Sequence, residues 1–322
     1  MTNEAAPRRR EVVINGTKAA VIDMHAHCAI GEAMAMVGMT PQGWLELADP
    51  STRIAAMDAQ AIDVEALSIN PYWYGFDYDQ ARAVIALQNE KLAEFASMNS
   101  DRFVALASVA LQHPELAAEQ LEHGVKQLGL RGALVGGSVN GEELADPKFH
   151  PFWAKAEELG CVIFIHPQGT AELASRLRGN GGLDNVIGNP LETTIALSHL
   201  IFEGTLDRFP GLKILAAHGG GYLPSYAARS DAGGRTFPER FTPLKKEPTA
   251  YLKDLYFDTI VFTTEALRHL IAEVGASQIV VGTDYPYPWT STEVEHVLET
   301  PGLTDDEKLA ILGGTAKRLL GM

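Results

Sequence analysis

The strongest constraint on this chain is a rhythm. Apolar, β-branched runs alternate with amphipathic stretches along almost its whole length. The strand-like runs fall at 19–27, 64–70, 103–110, 132–137, 161–167, 213–220, 255–261 and 279–286. Most are continuously apolar, as parallel strands covered on both faces should be. Between them, 80–98, 115–128, 151–159, 191–209, 265–274 and 304–312 carry helical spacing, with Val84, Leu87, Leu92, Phe95 and Met98 near one face of the first. Thr304 with Glu307 forms a capping box, and Gly313-Gly314 reads as a stop. Eight such units favour a (β/α)8 TIM barrel of the α/β class over a doubly wound sheet. The barrel is expected to occupy 19–322 as one catalytic domain. Residues 1–18 form an extension, with a short hairpin turning at Asn15-Gly16. The stretch 229–248 is rich in charge, Gly and Pro and reads as a long mobile excursion after the sixth strand.

Composition narrows the partners. With 322 residues, 46% hydrophobic and 21% charged, the chain can bury a sizeable core as a soluble globular protein. A formal net charge of −15 argues against nucleic acid, which demands a basic surface. A small anionic organic substrate remains compatible if a metal ion and one or two arginines make the pocket positive. No run of about 18 apolar residues is present to span a membrane. Cys28 and Cys161 are the two cysteines, which suits a reducing cytoplasm. The start, Met1 to Arg10, is polar, ends in Pro7-Arg8-Arg9-Arg10 and reads as a frayed terminus.

The chemistry gathers at strand ends. In Val21-Ile22-Asp23-Met24-His25-Ala26-His27, strict alternation puts Val21, Asp23, His25 and His27 on one face. Ile22, Met24 and Ala26 would then pack against helices. Two neighbouring imidazoles suit zinc and related ions. The fifth run ends in His166, the sixth in His218 and the eighth in Asp284. In a barrel these ends converge at the C-terminal face, where active sites form. Three histidines and one carboxylate make a coordination set with a position left open, which leaves one histidine over as a general acid or base. His218 precedes three glycines, which allow close approach of backbone and substrate. The fourth run offers no Lys, Glu or His, so one ion is expected rather than a bridged pair. Cys28 points away from His27 and is not expected to ligate.

On the segments IDMHAH, ADPSTRIAAMDAQAIDVEALS, RFVALASVALQHPELA, FIHP, NPLETTIALSHLIFEGTLDRFPGLKILAAHGGGYLP and GTDYPYP, the chain resembles the amidohydrolase superfamily. Within it, the resemblance is to the branch of aminocarboxymuconate-semialdehyde decarboxylase and the non-oxidative aromatic-acid decarboxylases. It implies that His25, His27, His166 and Asp284 are metal ligands. It implies that His218 handles the proton of water held at the ion, with Asp284 sharing the catalysis. Arg229 matches an arginine that reaches into the neighbouring subunit's site, so a homodimer is implied. Two departures bear on substrate. The segment 28–49 is shorter than in the aminocarboxymuconate enzyme and has no Arg or Lys, Arg53 matching a helix-start arginine instead. Gln168 replaces a tryptophan. Asn70, Tyr72 and Trp73 after the second run are candidates for the mouth, as are Trp44 and Trp289. Met34, Met36 and Met39 would form an adaptable apolar wall. His113, His123, His150, His199, His269 and His296 are taken as structural or surface.

The reading that follows is a metal-dependent carboxy-lyase acting on an unsaturated or hydroxylated aromatic acid in aromatic catabolism. It needs one divalent ion, Zn2+ first and Mn2+ second, and no organic cofactor. Hydrolysis of an amide, lactone or C–C bond, or hydration, is the alternative with the same residues.

Overall fold

The computed structural model describes residues 9–47, 49–241, 243–289 and 293–322. Eight parallel strands follow the eight apolar runs: β1 Ile22–His27, β2 Val64–Ser68, β3 Phe103–Ala105, β4 Gly132–Gly136, β5 Val162–His166, β6 Lys213–Ala216, β7 Tyr256–Asp258 and β8 Ile279–Val280. Strands β1 to β3 pair in order, as do β4 to β8. Isolated bridges close both seams. Ala107 pairs with Ala133, and Asp23 and Ala26 pair with Val281 and Tyr285. The barrel is therefore closed, and its eight C-terminal ends share one mouth.

Two apolar layers hold it. The interior layer contains Ile22, Met24, Ala66, Leu134, Phe164, Leu215 and Val280, floored by Ala316, Leu319 and Leu320 of the last helix, Thr315–Leu320. The outer layer lies between strands and surrounding helices and holds Val21, Cys28, Ile163, Ile214, Phe152 and Trp153. Ile22 and Met24 thus face inward and Val21 outward, the reverse of strict alternation. A bulge causes this. Asp23 pairs with Glu65 and Ala26 with Leu67, so Met24 and His25 together oppose one residue, Ala66. The bulge lets β1 place an apolar floor and two imidazoles in the same interior.

Three other expectations change. The hairpin forms as read, with Val12–Ile14 pairing with Thr17–Ala19, but the terminus is tied down where it is described. Arg9 pairs with Asp63, and Arg10 with Glu295. Residues 1–8, including Pro7 and Arg8, lie outside the described set. The stretch 229–248 after β6 is irregular only in its second part, because 229–236 complete the helix Leu223–Thr236 and a 3-10 turn, Pro238–Arg240, follows. Gly313-Gly314 does not stop a helix either. The chain passes from Asp305–Leu309 through a π-turn, Ala310–Gly314, into Thr315–Leu320. A Cβ on Gly313 would lie 2.1 Å from the Ala20 carbonyl oxygen, so the glycine serves close packing against the barrel. Likewise 191–209 divides into Asn189–Phe202 and Thr205–Arg208, with Gly204 at φ 76° between them.

Candidate metal centre

The bulge brings the imidazoles of His25 and His27 edge to face, with ring centroids 4.9 Å apart. Their Nε2 atoms are 3.0 Å apart. Asp284 Oδ1 lies 3.3 Å from His25 Nε2 and 3.1 Å from His27 Nε2. With His166 from the end of β5, one ligand atom from each of four buried residues lies within 4.8 Å of the others. Donors about 2.0–2.1 Å from one ion would be about 3.3 Å apart in a tetrahedron and about 3.0 Å apart as neighbours in an octahedron. The three separations among His25, His27 and Asp284 fall in that span.

Unmet needs also fit a cation. Asp284 Oδ1 and His166 Nδ1, both on residues of the cluster, are buried without partners, while the unpartnered Nδ1 of His27 lies on the far side of a ring whose Nε2 faces the cluster. Burial would raise the pKa of Asp284, but the His25 and His27 imidazoles hold its carboxyl well below the usual carboxylate range. Burial works to lower His25, yet Asp258 and Asp284 push it up to about 10. The two carboxylates thus favour positive charge at this point of the mouth.

A second layer of polar groups fixes the first. Asp258 at the end of β7 accepts from His25 Nδ1 at 2.7 Å, which aims Nε2 at the cluster. The same carboxylate accepts from the backbone N–H groups of His218, Gly219 and Ile260, at 2.9, 2.9 and 3.1 Å. One buried anion therefore orients a ligand and pins the turn that carries the spare histidine. Asp23 accepts from Thr283 Oγ1 at 2.5 Å and from the His25 N–H at 3.0 Å, joining β1 to the β8 end. Burial and the nearby Glu65 push Asp23 up to about 7. Arg53, buried and paired with Glu65, donates to the His27 carbonyl at 2.8 Å and lies over the Tyr285 ring. It braces the site from behind and does not line it.

His218 has φ 56°, and Gly219, Gly220 and Gly221 follow at 59°, 77° and 66°. A Cβ at Gly221 would lie 2.0 Å from the Pro190 carbonyl oxygen, and one at Gly220 2.6 Å from the Phe257 ring. The glycines are therefore dictated by both conformation and space. The turn sets the His218 ring 5.2 Å from His25 and 5.4 Å from His166, centroid to centroid. Burial and a cationic His25 push His218 down to about 4. Its imidazole is neutral at neutral pH, the form a proton acceptor needs.

His218 and Asp284 open into a cavity of about 550 Å³ walled mainly by apolar groups, among them Ile260, Val261, Leu270 and Trp289. The other expected residues are placed elsewhere. Tyr72 and Gln168 line a separate cavity of about 280 Å³, and the Tyr72 hydroxyl donates to Gln88. Asn70 is hydrogen-bonded to Tyr287, whose ring packs on His27 and Trp44. Trp73 is buried, its indole N–H donating to the Val109 carbonyl. Met36 and Met39 are exposed, and neither they nor Met34 lines a cavity among the described residues. Arg229 is exposed on the helix Leu223–Thr236 and lines a third cavity, without His218 or Asp284 in its wall. His269 lines the 550 Å³ cavity rather than standing apart from it. Cys28 joins the outer core as expected; burial pushes its thiol up to about 12.

Sequence reasoning missed Asp258 and Tyr287. The signal for Asp258 was a lone acid inside the apolar run LYFDTIVF, where an ionisable side chain requires a partner.

A closed α/β barrel with this cluster at its mouth defines a class, the barrel enzymes built around a divalent metal. More particularly, the model of the Amidohydrolase family matches residues 22–322, and the chain belongs to that family. It is 32% identical over 279 residues to a 2-amino-3-carboxymuconate-6-semialdehyde decarboxylase of Dictyostelium discoideum, covering 85% of this chain and 77% of that one. It is 31% identical over 287 residues to a gamma-resorcylate decarboxylase of a Rhizobium species, covering 83% and 88%. Among solved structures, a dihydroxybenzoic acid decarboxylase of a Polaromonas species, with bound manganese and the inhibitor 2-nitroresorcinol, superposes with a TM-score of 0.84. It is 26% identical and covers 94% of this chain and 97% of that one.

Proposed function

We propose that this chain is a metal-dependent, non-oxidative decarboxylase of a hydroxylated aromatic or similarly unsaturated carboxylic acid. One observation carries the reading: a buried His25, His27, His166 and Asp284 cluster sits beside a neutral His218, and Asp284 and His218 line a mainly apolar cavity. When bound, a divalent ion would supply Lewis-acid charge for the substrate's carboxylate or neighbouring hydroxyl. The protein's side chains do the rest. Asp258 keeps His25 and the His218 turn in register. Ile260 and Leu270 exclude water from the ring. Decarboxylation breaks one C–C bond, leaves its electron pair on the ring carbon and puts a proton there. His218 or Asp284, both in the cavity wall, takes a proton from the substrate's hydroxyl or from water and delivers it to that carbon.

Related roles belong to the same proposal. Residues 19–322 act as the catalytic unit, with 1–18 an appendage. The ion is Zn2+, with Mn2+ the alternative that the Polaromonas structure supports. Two copies associate so that Arg229 reaches the partner's site, and the protein works in the cytoplasm, which two free buried cysteines suit. Gln168, Asn70 and Tyr72 contact substrate only if loops around the mouth close over it.

The test is CO2 release. Metal-loaded protein incubated with hydroxybenzoates, hydroxypicolinates and muconate semialdehydes should liberate CO2 from at least one class. Ester or amide cleavage without CO2 would sink the proposal. His218→Ala should keep one ion per chain and lower kcat by on the order of 10²–10⁴-fold.

A further inference from the structure

The cavity beside the cluster is far larger than a single ring requires. An apolar cavity of about 150 Å³ accommodates benzene, and this one measures about 550 Å³. Its chemistry is lopsided. His218 and Asp284 stand at one end. The rest of the wall is mainly apolar, with Val186, Ile260, Val261, Phe262, Leu270 and Trp289, and carries the uncharged polar groups of Asn185, Asn189, Tyr222 and Ser225 and the His269 imidazole as well. No Lys or Arg lines it among the described residues, so a second carboxylate placed there would find hydrogen-bond donors such as Asn189 and His269 but no permanently charged partner to offset its desolvation. Its inner wall is dry, with Ile260 and Leu270 buried, while Phe262 and Trp289 are exposed at the rim. Exposed apolar groups around a buried apolar hollow mark a binding surface.

We infer that the substrate is a monocarboxylic aromatic acid bearing a bulky apolar substituent, an alkyl chain or a second ring, and that the substituent fills this cavity. The inference rests on the decarboxylase reading for the chemistry at the carboxylate, and on the cavity alone for the substituent. The cavity continues directly from His218 and Asp284, so a ring held with its carboxylate at the cluster can send one substituent along the wall. A short polar acid such as a dihydroxybenzoate would leave most of that wall wet.

The test is a series of 6-alkyl-2-hydroxybenzoates from methyl to heptyl, with a 6-carboxymethyl analogue as the polar comparison. CO2 release gives kcat/KM, and calorimetry on the metal-loaded protein gives Kd. Both should improve up to about fourfold per methylene until the cavity is full. The gain should appear in KM, because the contact is the same before and during reaction. The carboxymethyl analogue should be the poorest ligand. Ala266 lines the cavity from the helix Thr264–Val274. Ala266→Trp should cut the heptyl-to-methyl ratio at least tenfold, with Ala266→Phe as the milder variant if the first melts early. A flat or falling series, or a carboxymethyl analogue that binds best, overturns the inference even if CO2 is released. If no member releases CO2, the calorimetric series alone decides the cavity, and the decarboxylase reading stands or falls separately on the wider panel of hydroxybenzoates, hydroxypicolinates and muconate semialdehydes.

Discussion

The two sides of the barrel mouth are built from the same materials and end differently. On the β2–β4 side, one set of buried amides and hydroxyls closes on itself, although Asn70 Oδ1, Gln112 Oε1 and Gln120 Nε2 are left without partners there. Asn89 donates to the Ser108 carbonyl at 2.9 Å and accepts from its N–H at 2.8 Å. Gln88 bridges Ser108 and Tyr72, and the Tyr74 hydroxyl accepts from the Gly136 N–H. On the side formed by β1 and β5–β8, buried polar atoms are left over. Asp284 Oδ1 and ring nitrogens of His27, His166 and His218 lack partners, and a carboxylate outside the cluster is spent on orienting them. A satisfied network closes and stiffens one half of the mouth. An unsatisfied one, held rigid from behind, awaits a cation and a substrate. The contrast explains why Tyr72, plausible on strand position alone, falls outside the cavity that contains His218.

The largest test of this contrast removes a ligand. His25→Ala strips an imidazole from the cluster and leaves Asp258 and Asp284 facing each other's charge without it. Metal affinity should fall well beyond the about 10–100-fold that outer partners command, and turnover should vanish. Elemental analysis after dialysis should find far less than one ion per chain. Full occupancy would show that the cluster is not the ion's seat. Asp258→Asn is the next step down. The amide can still accept from backbone N–H groups, but it loses the charge that fixes His25. A drop of about 10–100-fold in metal affinity is expected, measured by competition with a chromophoric chelator. An unchanged affinity would reduce Asp258 to a brace for the His218 turn.

How much of this was legible beforehand depends on what each residue answers to. All eight strands could be read, because burial on both faces forces continuous apolar runs. His25, His27, His166, His218 and Asp284 stood out because each breaks such a run at its C-terminal end, where a barrel places its chemistry. Asp258 breaks its run earlier and was passed over, although burial of an acid demands a partner. The β1 bulge was invisible: alternation is a local rule, and the bulge is imposed by pairing with β2. The helix Leu223–Thr236 was hidden because its charge, glycine and serine suit a loop, and docking on the helices beside it decides the matter. Gly313-Gly314 misled for a similar reason. Whether a glycine ends a helix or admits a neighbour depends on what packs there, here the Ala20 carbonyl.

The satisfied side predicts the opposite kind of failure. Asn89→Leu removes both partners of the Ser108 backbone at once. Leaving buried backbone groups unpaired costs about 1–3 kcal/mol each, so a loss of about 3 kcal/mol in unfolding free energy is expected from urea titration. Metal affinity should stay within twofold of the parent. If Asn89→Leu releases the ion instead, the two halves of the mouth are not separable.

The smallest and sharpest test lies on the seam between the halves. Glu192 is buried on the first turn of Asn189–Phe202. Its carboxylate accepts from the backbone N–H groups of Gln168 and Gly169, just past β5, and from Ser138 Oγ at 3.2 Å, just past β4. Burial pushes it up to about 7, and the two backbone donors only partly offset this. An acid whose folded pKa exceeds its unfolded value of about 4.3 binds more protons when folded. Stability from this group is therefore greatest below the unfolded pKa, falls as pH rises towards about 7, and is level above it. The full effect is on the order of 3 kcal/mol. Glu192→Gln keeps an acceptor for the β5 turn and cannot ionise. The difference in Tm between variant and parent should thus climb in the variant's favour by a few degrees from pH 5 to 7 and then flatten. A difference independent of pH would mean that Glu192 ionises normally, and that the seam is held by a carboxylate as settled as the amide network on the β2–β4 side.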